Sequence, residues 1–113
     1  MEDSHELSFV HNADLSATGF GHTLDLIGGK YKMLVLYALS LSDGPVRYNE
    51  LKRLIGNVSF KTLTNTLKEL VSDELVIRKE YPQIPPKVEY SLTDCGHSLM
   101  PVIDLMCEWG ETH

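Results

Sequence analysis

The stretch from Arg47 to Leu70, RYNELKRLIGNVSFKTLTNTLKEL, constrains the fold more than any other part of this chain. It carries two helical periods with a break between them. Tyr48, Leu51, Leu54 and Ile55 repeat at helical spacing, which predicts one buried face. Gly56-Asn57 ends that helix, because both residues tolerate the left-handed backbone of a helix stop. Ser59 is a good N-cap, since its hydroxyl accepts a free backbone N–H of the helix it opens. Leu63, Leu67, Leu70 and Val71 fall at i, i+4, i+7 and i+8, so a second stripe faces inward. Lys61, Thr62, Asn65, Thr66 and Lys68 are then left outside. Apolar within and amide, hydroxyl and cationic groups without is what a helix lying in a DNA major groove requires. A helical hairpin with an ordinary solvated face has the same pattern, so the residues that follow must separate the two.

After Leu75 the period changes to two. Leu75, Ile77 and Tyr81 share one parity, and Val76, Arg78 and Glu80 the other. Pro82-Gln83-Ile84-Pro85-Pro86 is neither helix nor ladder-bonded strand, so it reads as a stiff loop. From Lys87 to Leu92 alternation resumes, with Val88, Tyr90 and Leu92 on the buried parity. Two strands joined by a stiff loop directly behind a helix-turn-helix make a wing. Thr93 then caps a last helix from Asp94 to about Trp109, with an apolar stripe of Leu99, Val102, Ile103, Met106 and Trp109. Pro101 should kink it or weaken its first turns.

Upstream, Met1 to Asp14 shows no sustained period and reads as a flexible arm ahead of a domain over 15–113. A short helical piece between Leu15 and Gly29 places Leu24 and Ile27 inward. Lys30 to Ser42 is a stronger helix in which Met33, Leu34, Leu36, Tyr37 and Leu41 cover much of the circumference, so it belongs at the centre of the core. Ser42-Asp43-Gly44-Pro45 is a turn. The fold class that follows is mainly α with a small β-hairpin wing: a winged helix-turn-helix with extra helices at both ends.

At 113 residues, 42% hydrophobic and 23% charged, the composition is that of a soluble globular domain. No apolar run approaches the roughly 20 residues that span a bilayer, so no membrane partner is expected. The acidic start is unlike a signal peptide, and a cytoplasmic location is expected. The net charge of −6 speaks against nucleic acid, but its distribution does not. From Pro45 to Tyr90 eight cations stand against six anions, whereas the rest of the chain has two lysines against ten acids. Cys95 and Cys107, read as lying on one helix, would be about 18 Å apart. A disulfide needs Cα atoms within about 7 Å, so these two should not pair within one chain.

The runs LDLIGGKYKMLVLYAL, GPVRYNELKRLIGNVSFKTLTNTLKEL and LVIRKEYPQIPPKVEYSLTDCGHSLMPVIDLMCEWG are similar to those of HxlR-type winged-helix transcriptional regulators, relatives of the MarR group. The resemblance covers Leu24 to Gly110, and PPKVEYSLT and the Gly-Gly-Lys-aromatic run are its most specific parts. It implies a homodimeric, DNA-binding regulator whose interface is built from the N- and C-terminal helices, and this agrees with the apolar stripes left at the chain ends. Three departures stand out. Tyr31 replaces the usual Trp. Asp73-Glu74 stands where Asp-Gly is usual, so the turn must avoid or strain a left-handed backbone. Thr18 lies about where several members carry a redox-sensing Cys.

Other motifs fail their patterns. Gly28-Gly29-Lys30 lacks the partner glycine and the Ser/Thr of a phosphate loop, and Gly19-Phe20-Gly21 is not a dinucleotide fingerprint. Cys95-x-His97 has no second ligand pair at finger spacing, so neither metal nor cofactor is expected. No catalytic motif occurs, and no enzymatic activity is expected. Tyr81, Tyr90 and Trp109 are candidates to line a small-molecule effector pocket, or to be core and interface anchors.

The expectation is therefore a homodimeric regulator on double-stranded DNA, with or without an effector. Ser59, Lys61, Thr62, Asn65, Thr66 and Lys68 would lie along the reading helix. Arg47, Arg78, Lys79 and Lys87 would approach the backbone or minor groove from the wing and the start of the helix pair. Leu24, Ile27, Leu99, Val102, Ile103, Met106 and Trp109 would form the interface. A winged helix that binds proteins rather than DNA, and a sensor whose DNA affinity depends on its effector, are the alternatives.

Overall fold

The computed structural model describes residues Asp14–His113; the arm expected over 1–14 lies, but for Asp14, outside them. A 3-10 turn at Leu15–Ala17 leads into α1 (Gly19–Ile27), α2 (Lys30–Ser40), β1 (Val46–Arg47), α3 (Tyr48–Ile55), α4 (Phe60–Ser72), β2 (Val76–Tyr81), β3 (Lys87–Leu92), α5 (Asp94–His97) and α6 (Met100–Thr112). This is a winged helix-turn-helix, mainly helical with a small antiparallel sheet.

The core gathers on α2 and α4. Val35, Leu36, Leu51, Leu63, Leu67, Leu70, Leu75 and Val76 are almost wholly buried, each such side chain contributing about 1.5–3 kcal/mol on removal from water. The buried face of α2 is Val35, Leu36, Ala38 and Leu39; of the apolar residues read as covering the helix, Leu36 is buried while Leu41 and Tyr37 are exposed. With apolar residues nearly all round, the period of that helix does not say which face meets the core. Leu54 is also corrected, being exposed, whereas Leu51 anchors α3.

The turn between α3 and α4 is built as its residues dictate. Gly56 adopts φ 91°, a conformation side chains rarely enter. Val58 dips back into the core, and the Ser59 hydroxyl accepts from the Thr62 N–H at 3.1 Å. Tyr31 donates its hydroxyl to the carbonyl of Asn57 at 3.2 Å and so ties α2 to this turn. Lys32 on α2 pairs with Glu69 on α4 at 3.4 Å.

The sheet has three strands in the order β1-β3-β2. Its third member, Val46–Arg47, is too short to show a period, and it forms only because β3 offers Tyr90 and Glu89 as partners. On β2 the expected parity is corrected: Leu75 and Val76 are both buried, while Ile77 is exposed. Leu75 precedes the first strand residue and packs from the turn, so strand alternation does not govern it. On β3, Tyr90 and Leu92 are buried as their parity indicates. The turn into β2 does enter the left-handed region, with Glu74 at φ 61°.

Thr93 caps the next helix, accepting from the Gly96 N–H at 2.9 Å and donating to the Glu74 carbonyl at 2.7 Å. A Cβ at Gly96 would lie 2.3 Å from the Leu75 carbonyl oxygen, so only glycine permits this approach. The single last helix expected from Asp94 is corrected to two, α5 and α6, divided at Ser98-Leu99. Pro101 sits in the first turn of α6, where its missing N–H costs nothing.

Candidate nucleic-acid interface

α4 presents two faces. Leu63, Leu67 and Leu70 point inward. Phe60, Lys61, Thr64, Asn65 and Lys68 recur at i, i+1, i+4, i+5 and i+8, which on a 3.6-residue period is one outward face. Lys61, Asn65 and Lys68 are exposed, as is the cap Ser59, and Thr62 is half-buried. Thr66 is the correction: it is 8% exposed and its hydroxyl donates to the Thr62 carbonyl at 2.7 Å, so it is turned away from any duplex on that face. In its place the outward face carries Thr64 and, at its start, Phe60, which is 67% exposed. Neither was singled out from the sequence. The offset of eight residues from Lys68 back to Phe60 could have marked Phe60, but an aromatic at a helix start reads first as core.

The wing cations divide between the two sides of the sheet. Register places Arg47, Glu89 and Lys79 in one row across β1, β3 and β2, with Tyr81 opposite Lys87 in the row beyond. Opposed and alternating residues share a face, so Arg47, Lys79, Tyr81, Lys87 and Glu89 occupy the outer one. The Tyr81 ring lies between two ammonium groups, Lys79 at 5.0 Å and Lys87 at 4.7 Å from its centroid. Lys87 is also paired with Glu89 at 3.3 Å, so a carboxylate already offsets part of that cationic face.

Arg78 has the opposite parity and lies toward α4. Together with Thr64, Leu67, Lys68, Val71 and Tyr90 it lines a groove of about 210 Å³ between α4 and the wing. The Tyr90 hydroxyl, and after it Glu80, hold its guanidinium above the ordinary arginine value; the Glu80 contact is 3.2 Å. Arg78 and Lys68 thus face one cleft, while Lys79 and Lys87 stand on the sheet's other side.

The terminal helices place their apolar residues unevenly. Ile27 and Ile103 are buried in the protomer's own core, which corrects their expected place at an interface, and Leu99 is packed against that core. Leu24 was expected inward and is exposed. On α6, Val102, Leu105, Met106 and Trp109 recur at i, i+3, i+4 and i+7 and are 45%, 64%, 51% and 65% exposed. Leu105 joins this stripe although the stripe read from the sequence omitted it. The three aromatics proposed for a shared pocket are not brought together: Tyr81 is on the outer sheet face, Tyr90 is buried on the inner one, and Trp109 stacks on His113 near the chain end. Among the described residues no helix is long and apolar enough to cross a membrane, and no three His, Cys, Asp or Glu side chains cluster as metal ligands would.

Comparison with known proteins agrees with this geometry. The model of the HxlR-like helix-turn-helix family matches residues 26–113. An uncharacterized HTH-type transcriptional regulator of Halalkalibacterium halodurans is 57% identical over 97 residues, covering 86% of this chain and 85% of its own length. The uncharacterized HTH-type regulator YkvN of Bacillus subtilis is 53% identical over 92 residues, 81% of this chain and 76% of that one. Among solved structures, the redox regulator HypR in its oxidized form superposes with a TM-score of 0.78 at 44% identity, covering 85% of this chain and 97% of that one. The putative HTH-type transcriptional regulator ytcD gives 0.79 at 43% identity over 85% and 96%.

Proposed function

This chain belongs to the HxlR-like helix-turn-helix family and is a DNA-binding transcriptional regulator, and we propose that it works as a homodimer on an inverted-repeat operator. The observation that carries the dimer is the Val102, Leu105, Met106 and Trp109 stripe, one continuous face of α6 exposed to water. A contiguous apolar face of this kind marks an interaction site, and two-fold pairing of one helix with its copy buries it self-complementarily. Leu24 on α1 extends the apolar surface of the terminal helices.

In this reading α4 enters the major groove with Lys61, Thr64, Asn65 and Lys68 facing the bases and phosphates, and Ser59 and Thr62 near its entry. Arg78 reaches the phosphate strand beside Lys68. Arg47, Lys79 and Lys87 meet the backbone from the outer face of the wing. Two reading helices then fall in successive grooves, which fits half-sites about 10 base pairs apart. The protein acts in the cytoplasm on double-stranded DNA and performs no catalytic step.

Sedimentation at micromolar concentration, together with a footprint on a selected operator, tests this. The expected result is a dimer protecting both halves of an inverted repeat, and a monomer in Met106→Glu. A wild-type monomer protecting one asymmetric half-site would overturn it.

A further inference from the structure

From the first turn of α4 we infer that Phe60 reads thymine, by packing its ring on the 5-methyl group in the major groove. The inference rests on α4 being the helix that enters DNA, and it adds a specificity-determining contact to that reading. Phe60 follows the Ser59 cap directly and is 67% exposed on a face otherwise made of Lys61, Thr64, Asn65 and Lys68. A ring this exposed lies outside the buried core, and a single apolar residue among polar ones is no protein-docking patch.

The ring is also held in place. It lies 5.3 Å from the Tyr48 ring, tilted by 52°. The Tyr48 hydroxyl bonds to the Phe60 carbonyl at 3.2 Å and to the Thr64 hydroxyl at 3.3 Å. The backbone that carries Phe60 is therefore tied to α3, and one flank of the ring is covered while the rest faces outward. Reading helices contact base edges with their N-terminal residues, so Phe60 precedes Lys61 and Asn65 into the groove. A phenyl ring neither donates nor accepts a hydrogen bond. The one apolar group that base pairs offer in the major groove is the thymine methyl. Phe60 therefore distinguishes thymine from cytosine by contact, whereas its neighbours on α4 distinguish bases by hydrogen bonds.

The test removes the methyl and nothing else. An operator is first selected from a random duplex pool with the full chain, and each of its thymines is then replaced by deoxyuridine in turn. Wild type should lose about three- to fivefold in affinity at one or two thymines of each half-site, the scale set by burying one methyl group. Phe60→Ala should bind the thymine and uracil duplexes equally, and Phe60→Leu should keep part of the discrimination; circular dichroism shows that each variant is folded. A wild-type protein indifferent to every uracil overturns the inference, as does a Phe60→Ala variant that still discriminates. Failure to select any sequence would instead overturn the placement of α4 in DNA, and the Phe60 contact with it.

Discussion

The hydroxyl of Tyr48 donates to the main-chain carbonyl of Phe60 at 3.2 Å, so the first residue of α3 holds the first residue of α4. The same hydroxyl lies 3.3 Å from that of Thr64, one turn further along. The two helices are thus joined by a polar link outside the leucine core. Tyr48→Phe keeps the ring but removes the link. The variant should lose about 1 kcal/mol of stability, the usual net value of one hydrogen bond, and lose more affinity for the operator than for random duplex. Denaturant melts and paired binding titrations check this; equal affinities to wild type on both duplexes would refute the role in positioning.

Asn65 stands exposed at the middle of the outward face of α4. A carboxamide there can pair bidentately with adenine. Asn65→Ala should cost about 1–3 kcal/mol of discrimination at one or two operator positions. Equal loss on operator and random duplex would show that it reads no base.

For the wing, the partners of each cation predict unequal effects. Lys79→Ala should lower the slope of log K against log salt by about one unit, as loss of one phosphate contact does. Lys87→Ala should lower it by less, because Glu89 at 3.3 Å already neutralises much of that ammonium. Glu89→Gln should act in the opposite sense, freeing Lys87 and steepening the slope. Binding isotherms at several salt concentrations decide the matter; unchanged slopes in all three variants would place the outer sheet face away from DNA.

Glu74 holds φ 61°, where a side chain is strained and glycine is not. Its carbonyl accepts from Thr93 and its N–H bonds to the Val71 carbonyl, so the geometry is held from both sides. Glu74→Gly should therefore stabilise the protein by about 0.5–1 kcal/mol, the relief outweighing the added freedom of the unfolded chain. A lower melting temperature in the variant would contradict this.

Redox behaviour should be quiet. Thr18 caps α1 through a bond from the Gly21 N–H at 3.1 Å and carries no thiol. Cys95 is exposed on α5, and Cys107 on α6 is half-buried beside Tyr37, whose pKa it raises. Mild peroxide or quinone should leave operator binding within about twofold. Loss of binding that Cys95→Ser or Cys107→Ser rescues would overturn this expectation.

What the sequence determined by itself is the succession of the main helices and the two wing strands, and their punctuation. Gly56, Ser59 and Thr93 act through local backbone chemistry, which depends on a few neighbouring residues, and each stands where its chemistry requires. The leucines of α4 likewise follow the helical period, because that helix has one apolar side. Tertiary structure decided which side of an ambiguous element is buried. α2 is apolar nearly all round, so packing against α3 and α4 chose Val35 and Leu39 over Tyr37 and Leu41. Packing likewise turned Thr66 inward on the flank of α4 and put Phe60 and Thr64 on its outward face. The two-residue β1 exists only through its partner β3, and pairing register put Arg47 and Lys87 on the same sheet face as Lys79. Ile27 and Ile103 belong to the protomer core, whereas the next turns of α6 keep an apolar face in water, because which residues of an amphipathic end helix meet the core depends on neighbours distant in the chain.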